Sequence, residues 1–547
     1  MMQNMTATFS DFGKSWRAMP WPVRVYLAGY FLLLFFLMFW VPGNDFDTMS
    51  SYIARIKLEE FGDLRQTGTL ELQYLFPKFF DYMNKPFLEW GWFTTFPAFA
   101  LFCAAAWFQL KFFGRKERLI WLFFILACPP ILVAVTSFKN DLPVACFAVL
   151  AWYALFIRRN SSTYLPLGML ALAALAGTKW HGFFVIVPFG IGFLWQLCRT
   201  HRPDKTALFL AALAVPLCWI ASSGQVYVDN FRQFGTPFPR PAWLTGQTLG
   251  WHHLPVNLYK FISSTFIDTF DVPLYLIDKQ IGWKIWPNIE ALTLHGKVYN
   301  YAFLINSEFS AFGLVLLFAL GCSAFILFRR KESFAVKMAG AGALAYALLV
   351  LCFIDYSSWT NRYFIAAYML GLIPTVRLLG RMAFSKTIIM LAATYALLLS
   401  LQAVLLNQDK LLKGLHWSMP AGQSYNMSPI WRDFFKRDRL YFHVWGGYAN
   451  IYDELQKDVQ VSDSLVFINT AKDGQVPFLY PLIKDRAPAN TRIINIRNGG
   501  AWDPSLCRDF RFVLIYKGAF GDPNYERIYA YDGENDMSLY RRKTACR

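Results

Sequence analysis

Long apolar stretches separated by short polar segments dominate the chain up to residue 406. Eleven of them approach or exceed the length needed to cross a bilayer, for which an α-helix requires about 20 residues. They begin near Val23, Trp92, Leu119, Leu142, Thr163, Phe183, Ala207, Phe312, Met338, Tyr363 and Thr387. The pattern therefore predicts an α-helical polytopic membrane protein with about 11 transmembrane helices.

A different pattern begins at residue 407. The runs SLVFIN, TRIINI, RFVLIYK and RIYAY are short and rich in β-branched and aromatic residues, which favours strands. Two further runs, WRDFFKRDRL and NIYDELQKDV, have the apolar spacing of helices. We expect a small α/β domain at 407–547 after a transmembrane domain at 23–406.

Basic residues are concentrated in every second loop between the apolar stretches. They are Lys14, Arg17, Arg24, Lys111, Arg115, Lys116, Arg118, Arg158, Arg159, Arg199, Arg202, Lys205, Arg329, Arg330, Lys331, Arg377, Arg381 and Lys386. Cytoplasmic loops of membrane proteins carry an excess of Lys and Arg. This bias predicts a cytoplasmic N-terminus at 1–22. External loops are predicted at 43–87 and 223–311, and an odd number of spans places the α/β domain outside.

Composition supports a membrane protein and excludes several other classes. Hydrophobic residues make up 56% of the 547 residues and charged residues 16%, against about 25% charged in ordinary soluble proteins. The net charge of +17 comes mainly from the short loops. Nucleic-acid-binding proteins instead place basic residues on one face among stacking aromatics. We therefore expect a lipid bilayer and no nucleic acid among the partners.

Seven of the nine cysteines lie in or beside apolar stretches, where a lone Cys is usually a small buried hydrophobe. The other two, Cys507 and Cys546, both fall in the predicted external domain. A disulfide between them is chemically permitted there. The sequence gives no distance between the two residues and leaves the pairing open.

Acidic and basic residues recur at the predicted outer ends of the spans. Asp45 and Asp47 follow the first span, Asp141 begins the fourth, Lys179 lies at the end of the fifth and Arg362 precedes the tenth. A carboxylate can serve as a general base, and fixed cations can hold a leaving phosphate. The simpler alternatives are helix capping by the acids and snorkelling of Lys179 and Arg362 to lipid headgroups.

Several motifs resemble those of the polytopic glycosyltransferases with the GT-C fold that use lipid-linked sugars. The likeness covers about 20–405 and places the chain near the branch of the protein O-mannosyltransferases and the lipid A aminoarabinose transferases. The motifs are FDTMSSYIAR from Phe46, TSFKNDL from Thr136, GTKW from Gly177, NFRQFGTPF from Asn230, NSEFSAFG from Asn306 and WTNRYF from Trp359. In the first of them Ser51 and Tyr52 replace the Tyr-His pair common in bacterial members.

This resemblance implies a catalytic pair and a substrate-binding set. Asp47 would be the catalytic base and Asp141 the second acid. The substrate-binding residues would be Arg55, Lys179, His181, Glu308, Arg362 and Tyr363. The donor would be a polyprenyl-phosphate-linked sugar, transferred with inversion to a glycan, glycolipid or protein acceptor at the outer face of a bacterial inner membrane. Branches of the fold differ in metal dependence, and an acidic pair could hold Mg²⁺ or Mn²⁺, so a divalent cofactor stays open.

A secondary transporter or flippase is the main alternative function. It predicts ionisable residues near span centres and broken, inverted repeats. Here the charged residues lie at span ends, and the two halves of the apolar region show no obvious similarity. A receptor-like or structural membrane protein is a third hypothesis, and a sugar ligase or polymerase of the same fold is a close functional neighbour. The sugar and the acceptor are not encoded in any recognisable motif.

Overall fold

The computed structural model describes the chain in segments separated by gaps. Apart from a few isolated residues, these segments are 21–41, 75–135, 137–158, 164–199, 205–239, 250–263, 312–354, 358–384, 386–405, 415–418, 424–427, 446–470, 485–495, 501–516, 518–531 and 537–543. The chain divides into two compact units. The first comprises Met1–Trp40, Thr95–Gly224 and Thr248–Gln408, and the second Val41–Thr94, Gln225–Gln247 and Asp409–Arg547.

The first unit is helical throughout its described segments. Its helices include α1 (Trp21–Trp40), α3 (Phe96–Phe112), α4 (Arg115–Leu126), α5 (Pro129–Ala134), α6 (Asp141–Trp152), α7 (Tyr164–Thr178), α8 (Phe183–Arg199), α9 (Lys205–Ala221), α11 (Leu314–Phe328), α12 (Phe334–Phe353), α13 (Ile365–Gly380) and α14 (Lys386–Leu405). A π-helical turn, Tyr153–Ile157, extends α6, and 3₁₀ turns precede α8 and α13.

Each of the eleven predicted apolar stretches corresponds to a helix, which fits a membrane protein. Among the described residues, three helices are long and apolar enough to cross a bilayer: Trp180–Arg199, Phe334–Phe353 and Thr360–Gly380. A fourth is added if α9 and the helix that follows it are counted as one broken span. The remaining apolar helices are shorter, so a total of 11 spans stays a prediction.

Helix α6 lies in the core of the first unit. All its residues except Leu150 are buried, which agrees with a sequence that is apolar around its whole circumference. It packs against α3, α7 and α13. At its far end the indole nitrogen of Trp152 donates to the carbonyl oxygen of Ala335 at 2.7 Å, which fixes α6 to the start of α12.

Buried polar side chains join α13 to the helices around it. Gln109 donates from Nε2 to the carbonyl oxygen of Met369 at 2.8 Å and accepts from the indole of Trp121 at 2.6 Å. The hydroxyl of Tyr368 donates to the carbonyl oxygen of Phe124 at 2.8 Å. Unmade buried hydrogen bonds are costly, so these contacts fix the position of α13 and of the turn that precedes it.

The second unit contains a helix from the first predicted loop and the C-terminal domain. Its helices are α2 (Phe79–Trp90) and α15 (Gly446–Asp458), and α10 (Gly224–Phe234) lies in it apart from its first residue. Asn230 of α10 donates from Nδ2 to the carbonyl oxygen of Leu75, just before α2, at 2.9 Å. Segments far apart in sequence are thereby joined within this unit.

Seven strands form two sheets in the described residues of the C-terminal domain. They are β1 (Leu415–Ser418), β2 (Ser424–Met427), β3 (Leu465–Asn469), β4 (Thr491–Asn495), β5 (Phe512–Tyr516), β6 (Tyr525–Tyr531) and β7 (Met537–Arg542). Strands β1 and β2 form an antiparallel pair. The five-stranded sheet has the order β4-β3-β5-β7-β6, with β3 parallel to both β4 and β5 and the last two strands antiparallel.

The predicted α/β character of this domain is confirmed. The four predicted strands correspond to β3, β4, β5 and β6, and the run NIYDELQKDV lies almost wholly within α15. The predicted helix WRDFFKRDRL lies outside the described residues. The sheet core consists of side chains on one face of β3, β5 and their neighbours, with Cys507 buried among them and Trp502 packed against it.

Candidate functional site

The end of α7 and the turn after it carry two of the predicted site residues. Gly177 approaches α9 so closely that a Cβ there would overlap the carbonyl oxygen of Ala221. After Thr178 the backbone becomes extended at Lys179, and a 3₁₀ turn, Trp180–Gly182, leads directly into α8. This break in the helix buries the side chains of Lys179 and His181 inside the first unit, leaving 9% and 6% of their surface exposed.

Asp141 is the first residue of α6 and is 3% exposed. The preceding residue, Asn140, donates from Nδ2 to the carbonyl oxygen of Thr178 at 3.2 Å. This contact joins the start of α6 to the end of α7, one residue before Lys179. The positive end of the α6 dipole also favours an ionised carboxylate at this position.

Three basic side chains surround the Asp141 carboxylate, two from the turn after α7 and one from the turn before α13. Lys179 Nζ lies 2.6 Å from Oδ1, and His181 Nε2 lies 3.5 Å from the same oxygen. Arg362, from the 3₁₀ turn Ser358–Phe364, places Nε 3.6 Å from Oδ2. With His181 neutral, two cations face one carboxylate, and the cluster carries a surplus of one positive charge.

Two tyrosines complete the cluster. The ring of Tyr363 lies under Lys179, with Nζ 4.3 Å from its centroid, and 5.1 Å from the ring of His181. Tyr346 of α12 is fully buried, and its hydroxyl lies 2.6 Å from Nδ1 of His181. A cation over an aromatic face is attracted by the ring quadrupole, so Tyr363 helps to hold Lys179 in place.

Five of the predicted site residues therefore meet in one buried cluster: Asp141, Lys179, His181, Arg362 and Tyr363. The other three, Asp47, Arg55 and Glu308, lie outside the described residues. The grouping is a matter of geometry, and the role of each residue stays a prediction.

Sequence reasoning missed two contributors to the cluster, Tyr346 and Asn140. Tyr346 lies within an apolar run and has the spacing of an ordinary core residue. Asn140 lies in the TSFKNDL motif, which by itself assigns it no role. Only the packing of α6, α7, α8 and α12 places these two side chains next to the predicted ones.

The surroundings of Asp141 do not fit a metal ligand. Its carboxylate is already paired with Lys179 at 2.6 Å and faces Arg362. A divalent cation bound there would lie beside two permanent positive charges. Within the described part of the chain, no group of three or more His, Cys, Asp or Glu side chains could hold a metal ion. Two cations around one carboxylate are instead suited to binding an anion next to Asp141.

No family model and no curated protein matches the chain. Solved structures do match, and two of them are described here. Both are crystal structures of ArnT from Cupriavidus metallidurans. The apo form aligns at 11% identity with a TM-score of 0.48, covering 95% of this chain and 97% of ArnT. The form bound to undecaprenyl phosphate aligns at 12% identity with a TM-score of 0.51, covering 96% of this chain and 98% of ArnT.

The chain has an ArnT-like GT-C fold. The alignment with the undecaprenyl phosphate complex carries this conclusion, because it extends over nearly the whole of both chains. The resemblance to the branch of the lipid A aminoarabinose transferases is thereby shown at the level of the fold. At 12% identity an ArnT-like fold does not by itself assign a substrate or a reaction.

Proposed function

We propose that this protein is a membrane glycosyltransferase that moves a sugar from a polyprenyl-phosphate donor to an acceptor hydroxyl at the outer membrane face. The observation that carries the proposal is the buried cluster of Lys179, Arg362 and His181 around Asp141, with its surplus positive charge. An ArnT-like fold supports it, because the ArnT structure that aligns with this chain was solved with undecaprenyl phosphate bound.

The proposed reaction needs a base and a stabilised leaving group. In this scheme Asp47 takes the proton of the acceptor hydroxyl, and the acceptor oxygen forms a bond to the anomeric carbon from the face opposite the phosphate. The bond between that carbon and the phosphate oxygen breaks, and inverted product and polyprenyl phosphate result. Lys179 and Arg362 stabilise the negative charge that develops on the departing phosphate. Arg55, Glu308 and Tyr363 are proposed to bind substrate.

Asp141 has a supporting task in this scheme. Two buried cations at close range repel each other, and an isolated buried charge is costly. The carboxylate between Lys179 and Arg362 lowers that repulsion and keeps both side chains aimed at one place. Asp141 thus holds the cations in position before the donor phosphate arrives.

The proposed location is a bacterial inner membrane, where the enzyme would act in cell-envelope glycan or glycolipid synthesis. The N-terminus would be cytoplasmic and the domain 407–547 external. Apolar helices support a multi-pass membrane protein. A disulfide at Cys507 supports an external domain, because disulfides persist in oxidising compartments.

Transfer and transport can be separated in one experiment. Purified protein is incubated with a panel of polyprenyl-phosphate sugars and candidate acceptors, and released polyprenyl phosphate is measured. A transferase releases it only when donor and acceptor are both present. The same protein is also reconstituted into sealed vesicles. Movement of intact lipid-linked sugar across their membrane, without release of polyprenyl phosphate, would contradict the proposal and favour a flippase. Lys337→Ala, on the part of α12 away from Tyr346, serves as a control variant that leaves the cluster intact.

A further inference from the structure

The contact between Tyr346 and His181 is the most buried polar contact of the cluster that the proposed reaction leaves unused. The hydroxyl of Tyr346 and Nδ1 of His181 are 2.6 Å apart, and the two residues are 0% and 6% exposed. The two rings meet edge to face with centroids 5.8 Å apart. Tyr346 contacts the cluster through His181, from the opposite side to Asp141.

Hydrogen-bond chemistry determines which nitrogen of His181 carries the proton. A neutral imidazole has one donor nitrogen and one acceptor nitrogen. If Tyr346 donates to Nδ1, Nε2 carries the proton and directs it toward Asp141 Oδ1, 3.5 Å away. The opposite tautomer would turn a lone pair toward the carboxylate. A doubly protonated ring would add a third positive charge beside Lys179 and Arg362.

We propose that Tyr346 is a positioning residue of the donor site: its hydroxyl donates to Nδ1 and holds His181 as a neutral Nε2–H donor. At 3.5 Å the approach to Asp141 is longer than an ordinary hydrogen bond, and Nε2 has no hydrogen-bond partner among the described residues. This N–H is therefore available to an anionic oxygen. A phosphate oxygen entering beside Lys179 and Arg362 supplies one, so this inference rests on the proposed function.

The matched pair Tyr346→Phe and Tyr368→Phe tests the functional consequence. Both residues are fully buried tyrosines on neighbouring helices, and each hydroxyl makes a hydrogen bond. Only Tyr346 contacts the cluster. We expect Tyr346→Phe to raise the donor KM about tenfold while Tyr368→Phe leaves it near the parent value. An equal rise in the donor KM of both variants would show that the Tyr346 hydroxyl has only a structural role and would overturn the proposal.

A double-mutant cycle tests whether Tyr346 acts through His181. Residues that act as a unit show non-additive effects. In a His181→Leu background, Tyr346→Phe should change the donor KM less than twofold, because no imidazole is left to orient. Another tenfold rise in that background would show a separate role for the tyrosine and contradict the assignment.

The tautomer of His181 can be measured without any substrate. In protein labelled with ¹⁵N-histidine, the ring nitrogen shifts of His181, assigned with His181→Leu, should report Nε2–H in the parent and a move toward Nδ1–H in Tyr346→Phe. An Nδ1–H or doubly protonated ring in the parent overturns the inference, even if Tyr346→Phe fails to fold. A parent that shows Nε2–H but transfers no sugar contradicts the proposed function alone.

Discussion

At the scale of single residues, Lys179 and Arg362 are the two buried cations proposed to bind the donor phosphate. Both are largely buried beside Asp141 and against the ring of Tyr363. We expect Lys179→Ala and Arg362→Ala each to reduce kcat/KM for the donor by roughly tenfold to hundredfold, since a hydrogen bond to a charged group contributes about 1.5–3 kcal/mol. Single-turnover transfer by purified variants measures this.

Lys179→Arg refines the same test. The guanidinium keeps the charge but not the compact geometry of an ammonium ion, so Lys179→Arg should retain part of the donor affinity that Lys179→Ala loses.

Lys337→Ala is the control, nine residues before Tyr346 and about 13 Å along α12. Parent-like kinetics in both alanine variants of the cluster would show that Lys179 and Arg362 only balance the buried charge of Asp141 and do not contact the donor.

The choice of catalytic base between Asp45 and Asp47 can also be tested. Both follow the first span, and the assignment of Asp47 rests on its match, with Arg55, to the family motif. Asp47→Asn keeps the shape and removes the basicity, so turnover should fall about 10²-fold or more. Asp45→Asn should cost at most a helix cap, about 1 kcal/mol of stability.

Transfer kinetics after a check of membrane insertion separates these outcomes. If Asp45→Asn is inactive and Asp47→Asn is active, Asp45 is the catalytic base and the assignment of Asp47 is wrong. Full activity in both variants would show that neither aspartate is the catalytic base.

Metal dependence is a third test at this scale. Because Asp141 is neutralised by Lys179 and faces Arg362, we expect the phosphate to be stabilised by side-chain cations. Treatment with EDTA followed by desalting should leave the transfer rate within about twofold of the untreated rate, since the bound charge comes from the protein. Loss of activity that Mg²⁺ or Mn²⁺ restores would contradict this prediction and indicate a metal held partly by residues outside the described segments.

The sequence predicted the members of this cluster better than their arrangement. Asp141, Lys179 and Arg362 could be found because charged residues at the ends of apolar stretches are few and conspicuous. Tyr346 could not, because a tyrosine in an apolar helix has the same local pattern whether it faces the core, the lipid or a histidine. Burial of the His181 and Tyr346 rings against each other depends on how α8 packs against α12, which no local pattern encodes.

At the scale of elements, the close approach of α7 and α9 positions the end of α7. Gly177 lies against the backbone of Ala221 and Ser222, and its carbonyl oxygen accepts from the hydroxyl of Ser223 at 3.3 Å. Gly177→Ala must push the two helices apart. We expect a loss of roughly 1–3 kcal/mol in the free energy of unfolding, together with a fall in donor kcat/KM, because Lys179 follows two residues later.

Gly190→Ala is the matched control for that substitution. It lies within α8, and a Cβ there meets no atom within 4 Å. Since alanine is favoured over glycine inside helices by about 0.5–1 kcal/mol, its melting temperature in detergent should equal or exceed that of the parent. If Gly177→Ala melts with the parent and transfers sugar normally, close contact between α7 and α9 is not needed for the cluster.

Element prediction succeeded where the pattern was long or strictly periodic. The eleven apolar stretches and the strands β3 to β6 were found because burial on all sides or on one face leaves a clear record in the sequence. Strands β1 and β2 were missed, since four-residue strands such as LHWS and SYNM carry no clear apolar alternation. Strand β7, with the sequence MSLYRR, was missed because its outer residues are polar and basic.

At the scale of the whole molecule, the redox state of the cysteines bears on the orientation in the membrane. Cys507 is disulfide-bonded, whereas the seven other cysteines in the described segments are free. The ninth cysteine of the sequence, Cys546, is the proposed partner and lies outside those segments. A disulfide in the C-terminal domain and free thiols in the helices agree with the charge bias of the loops, which predicts an external tail by an independent principle.

The orientation in the membrane can be measured by the accessibility of cysteine thiols, with Cys198 as an internal control. Cys198 is free and exposed near the end of α8, where Arg199 marks a predicted cytoplasmic loop. In Cys507→Ser, the freed thiol of Cys546 should react with a membrane-impermeant maleimide added to spheroplasts, and Cys198 should react only after the membrane is opened. Loss of the bond should also cost the domain about 2–5 kcal/mol.

Peptide mass spectrometry of the labelled protein reports both sites in one sample. Labelling of Cys546 in the parent before reduction would contradict its pairing with Cys507 but leave the orientation intact. Labelling of Cys198 from outside, with Cys546 protected until the membrane is opened, would reverse the orientation. The cluster around Asp141 would then lie at the cytoplasmic end of its helices, where a donor facing the outside could not reach Lys179 and Arg362, and transfer at the outer face would be excluded.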